Sequence, residues 1–223
     1  MSKSGNPAHL NVSMKEIHPF SSFQEAITKF DNGGHFYNLF SHAKDGVVSP
    51  AELEIIAGTG QDKQKLILFL VMSICKMDNR SREKILARLD GELFETYEKY
   101  HPVHITISQM IERGKPGLSV TLVGTPKKIS EQTVGKVLVP VAVGGETSFA
   151  LVPISESYVI YELHSDYTHE TVLVGHPKES DDLPERKLRL GGILSTLNEI
   201  DQSQKSKEGI FLEIQFFLEE ENQ

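Results

Sequence analysis

The 223-residue sequence contains one cysteine and no tryptophan. Because Cys75 is alone, the chain has neither an internal disulfide framework nor a zinc site built from several thiolates. This cysteine ends the longest apolar run, residues 66–75, which is about half of the roughly 20 apolar residues that a membrane-spanning helix needs. Residues 1–11 are polar and lack the hydrophobic segment of a signal peptide. We therefore expect a soluble, cytoplasmic protein with no membrane partner.

Basic residues are also in short supply, since the formal net charge is −8. Residues 1–100 hold 12 Lys and Arg against 13 Asp and Glu, and residues 101–223 hold 11 against 18. Surfaces that bind nucleic acid normally carry a basic excess, because neutralisation of phosphates supplies most of the affinity. The charge balance therefore argues against nucleic acid as a partner, and we expect the partner to be a protein.

Local motifs of catalysis are missing as well. The sequence has no G-x-S-x-G nucleophile elbow, and its one cysteine lies in an apolar run where a buried thiol is inert. Residues 58–63 lack the spacing of a phosphate-binding loop and follow no predicted strand. These absences lean against an enzyme, and they predict no cofactor.

Residues 1–100 carry the signals of helices. Ser22 to Glu25 and Ser49 to Glu52 have the spacing of a capping box, in which two side chains satisfy backbone N–H groups at a helix start. Residues 66–75 are apolar on every side, which predicts a helix buried between other helices. The next helix places its apolar side chains on one stripe, namely Ile85, Leu86, Leu89, Leu93, Phe94 and Tyr97.

Near residue 101 the hydrophobic period changes from about 3.6 to 2. Val103, Ile105 and Ile107 alternate with polar residues, which predicts a strand. At the other end of the region, four apolar side chains are predicted to face one way, namely Leu212, Ile214, Phe216 and Leu218. Roughly six to eight short strands separated by Gly, Pro, Ser and Asp are typical of an antiparallel sandwich or small barrel.

The two patterns together predict an α+β protein. An N-terminal helical half, residues 1–100, is expected to pack on a C-terminal antiparallel β-barrel or sandwich, residues 101–223. Since residues 97–103 alone separate the last predicted helix from the first strand, no flexible linker intervenes, and we expect the two regions to hold a fixed packing.

Residues 40–53, Phe-Ser-His-Ala-Lys-Asp-Gly-Val-Val-Ser-Pro-Ala-Glu-Leu, resemble the calcium loop of the EF-hand family. The resemblance places Asp45 and Glu52 at ligand positions five and twelve, whereas the first and third positions are Ser41 and Ala43. Calcium takes roughly six to eight oxygen ligands, largely from carboxylates. The interpretation that we prefer is a turn at Asp45-Gly46 followed by a capping box that ends at Glu52.

A second candidate metal site is the turn that holds His164, Asp166 and His169. Two imidazoles and a carboxylate are a common ligand set for zinc or non-haem iron. The spacing is neither H-x-H nor H-x-x-x-H, and the turn has the composition of a hairpin tip. Ordinary surface histidines are therefore the preferred interpretation.

Six basic residues of the second half could line one face of a small barrel, namely Lys127, Lys128, Lys136, Arg186, Lys187 and Arg189. An OB-like barrel would use such a face, together with aromatic side chains, to hold a single strand. The aromatic residues of this half do not interleave with the basic ones, which favours a solvated strand face.

The sequence therefore favours a non-enzymatic binding or assembly module. The first alternative is a metal-dependent protein that uses the Asp45–Glu52 loop or the His164–His169 turn. The second alternative is an OB-like binder of single-stranded nucleic acid.

Overall fold

The computed structural model of the protein describes residues 14–33, 44–133, 137–143, 146–152, 157–166, 168–199 and 207–220. The helices are α1 (Phe23–Phe30), α2 (Pro50–Ala57), α3 (Lys63–Ser73), α4 (Asn79–Leu86), α5 (Gly91–Tyr100) and α6 (Ile107–Arg113). The strands are β1 (Lys15–Glu16), β2 (Val103–His104), β3 (Ser119–Thr133), β4 (Val137–Val143), β5 (Glu146–Val152), β6 (Ser157–His164), β7 (Thr171–Pro177), β8 (Leu188–Glu199) and β9 (Lys207–Glu219). None of the helices in these residues has the length and apolar character needed to cross a membrane.

Each of these helices begins after a polar side chain that accepts a hydrogen bond from a backbone N–H of the first turn. Ser22 caps α1, as its spacing predicts. Ser49 and Glu52 form a complete capping box at the start of α2, with the Ser49 N–H donating to Glu52 Oε2 over 2.8 Å. Local sequence therefore fixes where these two helices start.

The chain leaves the helix between α4 and α5, where the sequence predicts a single helix. The Val48 N–H donates to Arg88 O over 2.7 Å, and the Asp90 N–H donates to Val48 O over 2.9 Å. This short parallel bridge pairs Val48 with Leu89 and takes residues 88–90 out of helical geometry. Asp90 then caps α5 as a new helix. As a result Phe94, a member of the predicted apolar stripe, is 44% exposed.

A hydrophobic cluster is built around α3 by α1, α2, α4 and α5, and α3 is buried on nearly all sides as predicted. Phe30 of α1, Leu53 of α2 and Leu93 of α5 are fully buried in the same cluster, which we call the helical core. Leu70 at its centre is fully buried, whereas Leu89 is only partly buried against it. An apolar helix with no polar face is stable in water only when neighbours cover it in this way.

Seven strands form a mixed sheet. Pairing is antiparallel between β3 and β6, β6 and β7, β3 and β8, and β8 and β9, whereas β7 and β9, β1 and β9, and β2 and β3 pair in parallel. β4 and β5 form a separate two-stranded sheet. The α+β class is therefore confirmed, but the prediction of a purely antiparallel sheet is wrong.

The order of pairing is cyclic. It leads from β3 through β6, β7, β9 and β8 and returns to β3, because β8 pairs with both β3 and β9. Side chains of all five strands and of α6 meet in a second cluster, the β core, which includes Ile107, Met110, Leu122, Leu163, Val174, Leu190 and Leu212.

A register shift divides β9 between the two cores. Gly191 lies opposite Phe216, and Gly192 lies opposite Ile214, so that Gln215 has no partner in β8. Such a bulge adds one residue to a strand and moves the residues beyond it to the opposite face.

The apolar stripe of β9 therefore serves both cores. Leu212 and Ile214 lie in the β core, whereas Phe216 and Leu218 lie in the helical core, where the Phe216 ring is 5.8 Å from the ring of Phe69. The prediction that these four side chains face one way is wrong for this reason. The bulge lets one strand join the helices to the sheet.

Candidate binding groove

The surface between β2 and α6 contains a groove with a volume of about 280 Å³. β2 forms one wall, the C-terminal part of α6 forms the other, and residues of the adjoining loops, of β3 and of β8 contribute the rest. It is lined by Val103, His104, Ile105, Gln109, Arg113, Gly114, Leu118, Val120 and Leu194.

A capping box places α6 beside β2. Thr106 and Gln109 satisfy each other's backbone N–H groups, so that the chain turns into a helix directly after the short strand. The alternation of Val103, Ile105 and Ile107 predicts a strand here, and that prediction is wrong beyond His104 because the box at Thr106 starts the helix. The groove is the space between the shortened strand and the helix that follows it.

The end of α6 lies against β8 because residue 114 is glycine. A Cβ atom there would be 2.5 Å from Met110 O and 3.3 Å from Leu194 Cδ1. The segment after it is tied to the same strand, since the Gly117 N–H donates to Leu194 O over 2.7 Å and the Leu194 N–H donates to Leu118 O over 2.9 Å. These bonds fix the floor and one rim of the groove.

The lining is mainly aliphatic and partly open to solvent. Val103 is 50% exposed and Leu118 is 42% exposed, whereas Val120 and Leu194 below them are buried. Valine, isoleucine and leucine supply the apolar surface of the groove, and none of its lining residues is Phe, Tyr or Trp. Exposed aliphatic groups around a concave surface are typical of a binding site.

The polar groups of the groove are cationic or neutral. His104 Nδ1 lies 3.0 Å from Thr121 Oγ1, and burial, followed by the nearby positive charge of Arg189, lowers the pKa of His104 below its ordinary value. Arg113 is 81% exposed, and its Nε is 3.9 Å from Glu112 Oε2. No aspartate or glutamate lines the groove. An aliphatic surface is therefore combined with one permanent positive charge at its edge.

The structure gives the residues of the EF-hand-like segment other hydrogen-bonding roles. Glu52 is buried and accepts hydrogen bonds from the Ser49 N–H, the Ser49 hydroxyl and the Gly33 N–H, the last over 2.6 Å. Asp45 Oδ1 accepts from the Val47 N–H over 2.9 Å. The loop's first and third positions, residues 41 and 43, lie outside the described residues.

Sequence reasoning missed the buried carboxylate that holds this turn. Asp31, at the end of α1, accepts hydrogen bonds from the Gly46 N–H over 2.8 Å and from the Lys44 N–H. Its place directly after a helix and before Asn32-Gly33 is the only local signal. Backbone N–H groups therefore point at a carboxylate in this turn, whereas a calcium loop directs oxygen atoms at the cation.

The three candidate ligands of the histidine turn also have separate environments. His164 Nε2 lies 3.6 Å from Glu162 Oε2, Asp166 pairs with Lys187 over 2.8 Å, and His169 is exposed. Within the ranges that the structure describes, no three His, Cys, Asp or Glu side chains are grouped so that they could hold a metal ion. A metal site at Asp45 and Glu52 or at the histidine turn stays a prediction.

Most of the predicted basic face is neutralised within the chain. Lys128 pairs with Asp182 over 2.9 Å and Lys187 with Asp166, while the remaining pairs are Arg186 with Glu219 and Arg189 with Glu220. Lys127 is exposed, and Lys136 lies outside the described residues. Acidic residues thus lie next to four of the six basic ones.

A buried polar network is the other feature that sequence reasoning missed. Tyr161 Oη accepts from the Leu183 N–H over 3.0 Å, donates to Asp182 Oδ1 over 3.1 Å and lies 3.2 Å from His176 Nε2. His176 Nδ1 lies 2.8 Å from Pro177 O. Burial raises the pKa of Tyr161 to about 12 and lowers the pKa of His176. No spacing rule could find residues that lie on two strands and a loop.

No family model and no curated protein matches the chain. Among solved structures, the chain is similar to a 1.8 Å crystal structure of the N-terminal domain of an archaeal MCM. The two share 13% sequence identity, with a TM-score of 0.36, over 87% of this chain and 92% of the other. A similarity at this level gives no argument for the function of this chain.

The prediction that set nucleic acid aside as a partner is corrected, and the physical reason lies in how charge is distributed in the structure. Acidic residues such as Asp166, Asp182 and Glu219 are paired with basic ones, so a regional charge count does not give the sign of any particular surface. Net charge over a hundred residues is therefore no ground for excluding a class of partner.

Proposed function

We propose that this chain is a non-enzymatic binding module that holds an aliphatic side chain of a protein partner in the groove between β2 and α6. The observation that supports the proposal is the combination of an aliphatic lining with a rim that leaves Val103 and Leu118 about half exposed. Covering these side chains would remove apolar surface from water at both partners, which is the main driving force for association.

The groove is at the small end of the size range for ligand sites. Pockets for small molecules and cofactors typically measure about 300–1,000 Å³, and this groove measures about 280 Å³. The chemistry of its walls favours an aliphatic group over a nucleobase, because bases are held by stacking on aromatic rings. A leucine-like group is the occupant that satisfies both conditions.

The test uses a neutral analogue of a leucine side chain, 4-methylpentanamide, titrated into the full chain with ¹³C-labelled methyl groups. We expect saturable shifts at Val103, Leu118 and Leu194, with a millimolar Kd as suits so small a ligand. Leu70, in the helical core, should not shift. Shifts of equal size in both cores, or none at all, would refute the proposal.

A matched pair of variants locates the site. Leu118→Gln and Val47→Gln each alter an aliphatic side chain that is just over 40% exposed, so neither should disturb folding. Only Leu118 lines the groove, and we expect Leu118→Gln alone to weaken binding several-fold. Equal weakening by both variants would mean that the probe binds elsewhere.

A second candidate function is an OB-like barrel that binds single-stranded nucleic acid. It is favoured by the cyclic pairing of β3, β6, β7, β9 and β8, because a five-stranded sheet that returns to its first strand meets the requirement for a small closed barrel. The test is anisotropy of a labelled oligothymidylate at about 50 and 200 mM salt, where phosphate contacts predict a steep loss of affinity. Absence of binding at the lower salt concentration would refute this candidate.

The division into a helical region, residues 1–100, and a β-rich region, residues 101–223, stays a prediction, as does a cytoplasmic location. We propose that the helical region acts as a support for the sheet, because β9 contributes Phe216 and Leu218 to the helical core. In this arrangement the groove belongs to the β-rich region alone.

A further inference from the structure

We infer that the partner segment carries an aspartate or glutamate beside its aliphatic side chain, and that Arg113 binds this carboxylate. The inference rests on the proposed function, since it names the chemistry of the ligand that the groove would take.

Arg113 is placed and available for this role. It is the last residue of α6, it lines the groove, and four fifths of its side chain is exposed. The nearest carboxylate, that of the adjacent Glu112, is 3.9 Å away and is itself 65% exposed. An ion pair with this geometry contributes little, because both groups stay solvated. The guanidinium can therefore bind a ligand carboxylate without breaking a strong contact.

Two other arginines of the β-rich region show the contrast. Arg186 contacts Glu219, and Arg189 contacts Glu220 over 2.5 Å with both side chains largely covered. Each would have to give up a close carboxylate before it could bind another. Arg113 has no such commitment, and its planar fork of N–H groups matches the two oxygen atoms of a carboxylate.

Charge complementarity favours a ligand with a negative charge. The groove offers Arg113 and has no Asp or Glu among its lining residues, so a ligand carboxylate can be held here without repulsion from the lining. A basic ligand would find no anion in the lining to pair with.

The carboxylate is assigned to a side chain of the partner and not to its C-terminus. Chain termini are typically captured by clusters of backbone N–H groups. Here the positive group is a single guanidinium on an exposed side chain, and the backbone of Leu118 and Gly117 at the rim is already paired with Leu194. An internal acidic residue near a leucine fits this arrangement better.

The experiment compares two ligands of the same shape, 4-methylpentanoate and 4-methylpentanamide, on the full chain by methyl NMR. We expect the carboxylate to bind roughly tenfold more tightly at low salt, since charge-assisted hydrogen bonds are about twice as strong as neutral ones. Arg113→Gln should abolish this preference, so that the variant binds the two ligands with equal affinity. Lys115→Gln, which removes the same charge two residues away, should keep the preference.

The outcomes separate the two proposals. If both ligands bind equally to the unmodified chain, the inference fails and the proposed function stands. If neither binds, the proposed function fails as well. If Arg113→Gln and Lys115→Gln reduce the preference for the carboxylate equally, the preference comes from the general positive charge of this region and not from a specific contact with Arg113. That result would overturn the inference.

Peptides test the source of the carboxylate. A capped peptide with leucine and a nearby aspartate is compared with its asparagine counterpart and with a peptide that ends in a free leucine carboxylate. We expect the aspartate peptide to bind most tightly, by several-fold. Tighter binding of the free C-terminus would overturn the assignment to an internal acidic residue.

Discussion

The hydroxyl of Tyr161 connects segments that are far apart in the sequence, and no spacing rule would identify them. Its hydroxyl is bonded to the Leu183 N–H and to Asp182, and it faces His176, so one oxygen atom fixes the loop after β7 onto the strands. We expect Tyr161→Phe to reduce the free energy of unfolding by roughly 1–3 kcal/mol, because the buried Leu183 N–H loses its acceptor.

Urea denaturation measures this loss. The control is Tyr100→Phe, which removes a hydroxyl that has no hydrogen-bond partner in the described part of the chain, and it should change stability by less than about 0.5 kcal/mol. Equal effects of the two substitutions would mean that the network contributes nothing to stability.

His176 makes stability depend on pH in a defined direction. Burial lowers its pKa in the folded protein, while the unfolded chain has the ordinary value of about 6.5. As pH falls below about 6.5, the unfolded state therefore binds a proton that the folded state resists, and stability is lost. Above this pH both states are neutral at His176, and its contribution does not change.

The prediction is a decline in unfolding free energy between pH 7.5 and 5.5, measured in urea. His176→Asn should be less stable at pH 7.5 but should show a flatter dependence over this range, because one titrating group is gone. His104, whose pKa is also lowered by burial, retains part of the slope. An unchanged slope in His176→Asn would contradict the assignment.

At the scale of elements, a capping box determines the secondary structure after β2 more strongly than apolar alternation does. The pattern from Val103 to Ile107 satisfies the rule for a strand, yet Thr106 and Gln109 start α6 in its middle. A strand pattern of five residues is short enough for a cap to override it. The groove could not be predicted from the sequence for this reason, since its walls are the two elements that the pattern merges.

Thr106→Ala tests this cap. We expect a loss of stability of about 1 kcal/mol, because the backbone N–H of Gln109 loses its acceptor. The same loss is expected from Ser22→Ala, because Ser22 caps α1. This helix is far from the groove in the sequence and packs in the helical core. Only Thr106→Ala should weaken binding of 4-methylpentanamide, as measured by methyl NMR. Weaker binding in both variants would show that global stability, and not α6, sets the affinity.

At the scale of the whole molecule, the α+β class could be predicted, and the pairing of strands could not. The capping motifs and the apolar run of α3 each lie within a few consecutive residues, so they can be recognised directly in the sequence. Which strands pair in parallel depends on residues far apart in the chain, such as Val174 with Leu212. The bulge at Gln215 is equally invisible, because alternation continues through it unchanged.

α3 contacts the sheet closely at Gly191 of β8. Gly191 lies at the bulge, and a Cβ atom there would be 2.0 Å from Met72 Sδ and 3.1 Å from Leu68 Cδ1. We expect Gly191→Ala to destabilise the protein by roughly 1–3 kcal/mol, because the added methyl group forces buried side chains of α3 to move. Gly91→Ala is the control, since no atom lies within 4 Å of the Cβ it would add.

A double variant shows whether the two cores unfold together. Met72→Ala alone should cost roughly 2–5 kcal/mol, because Met72 is fully buried. Combined with Gly191→Ala, the new methyl group enters the space that Met72 leaves, so the combined loss should fall short of the sum by roughly 1–3 kcal/mol. Urea unfolding followed by circular dichroism and by a methyl signal of the β core should give coincident transitions. Additive losses or separate transitions would mean that α3 and the sheet are not packed as one unit, and the helices would then give the groove no support.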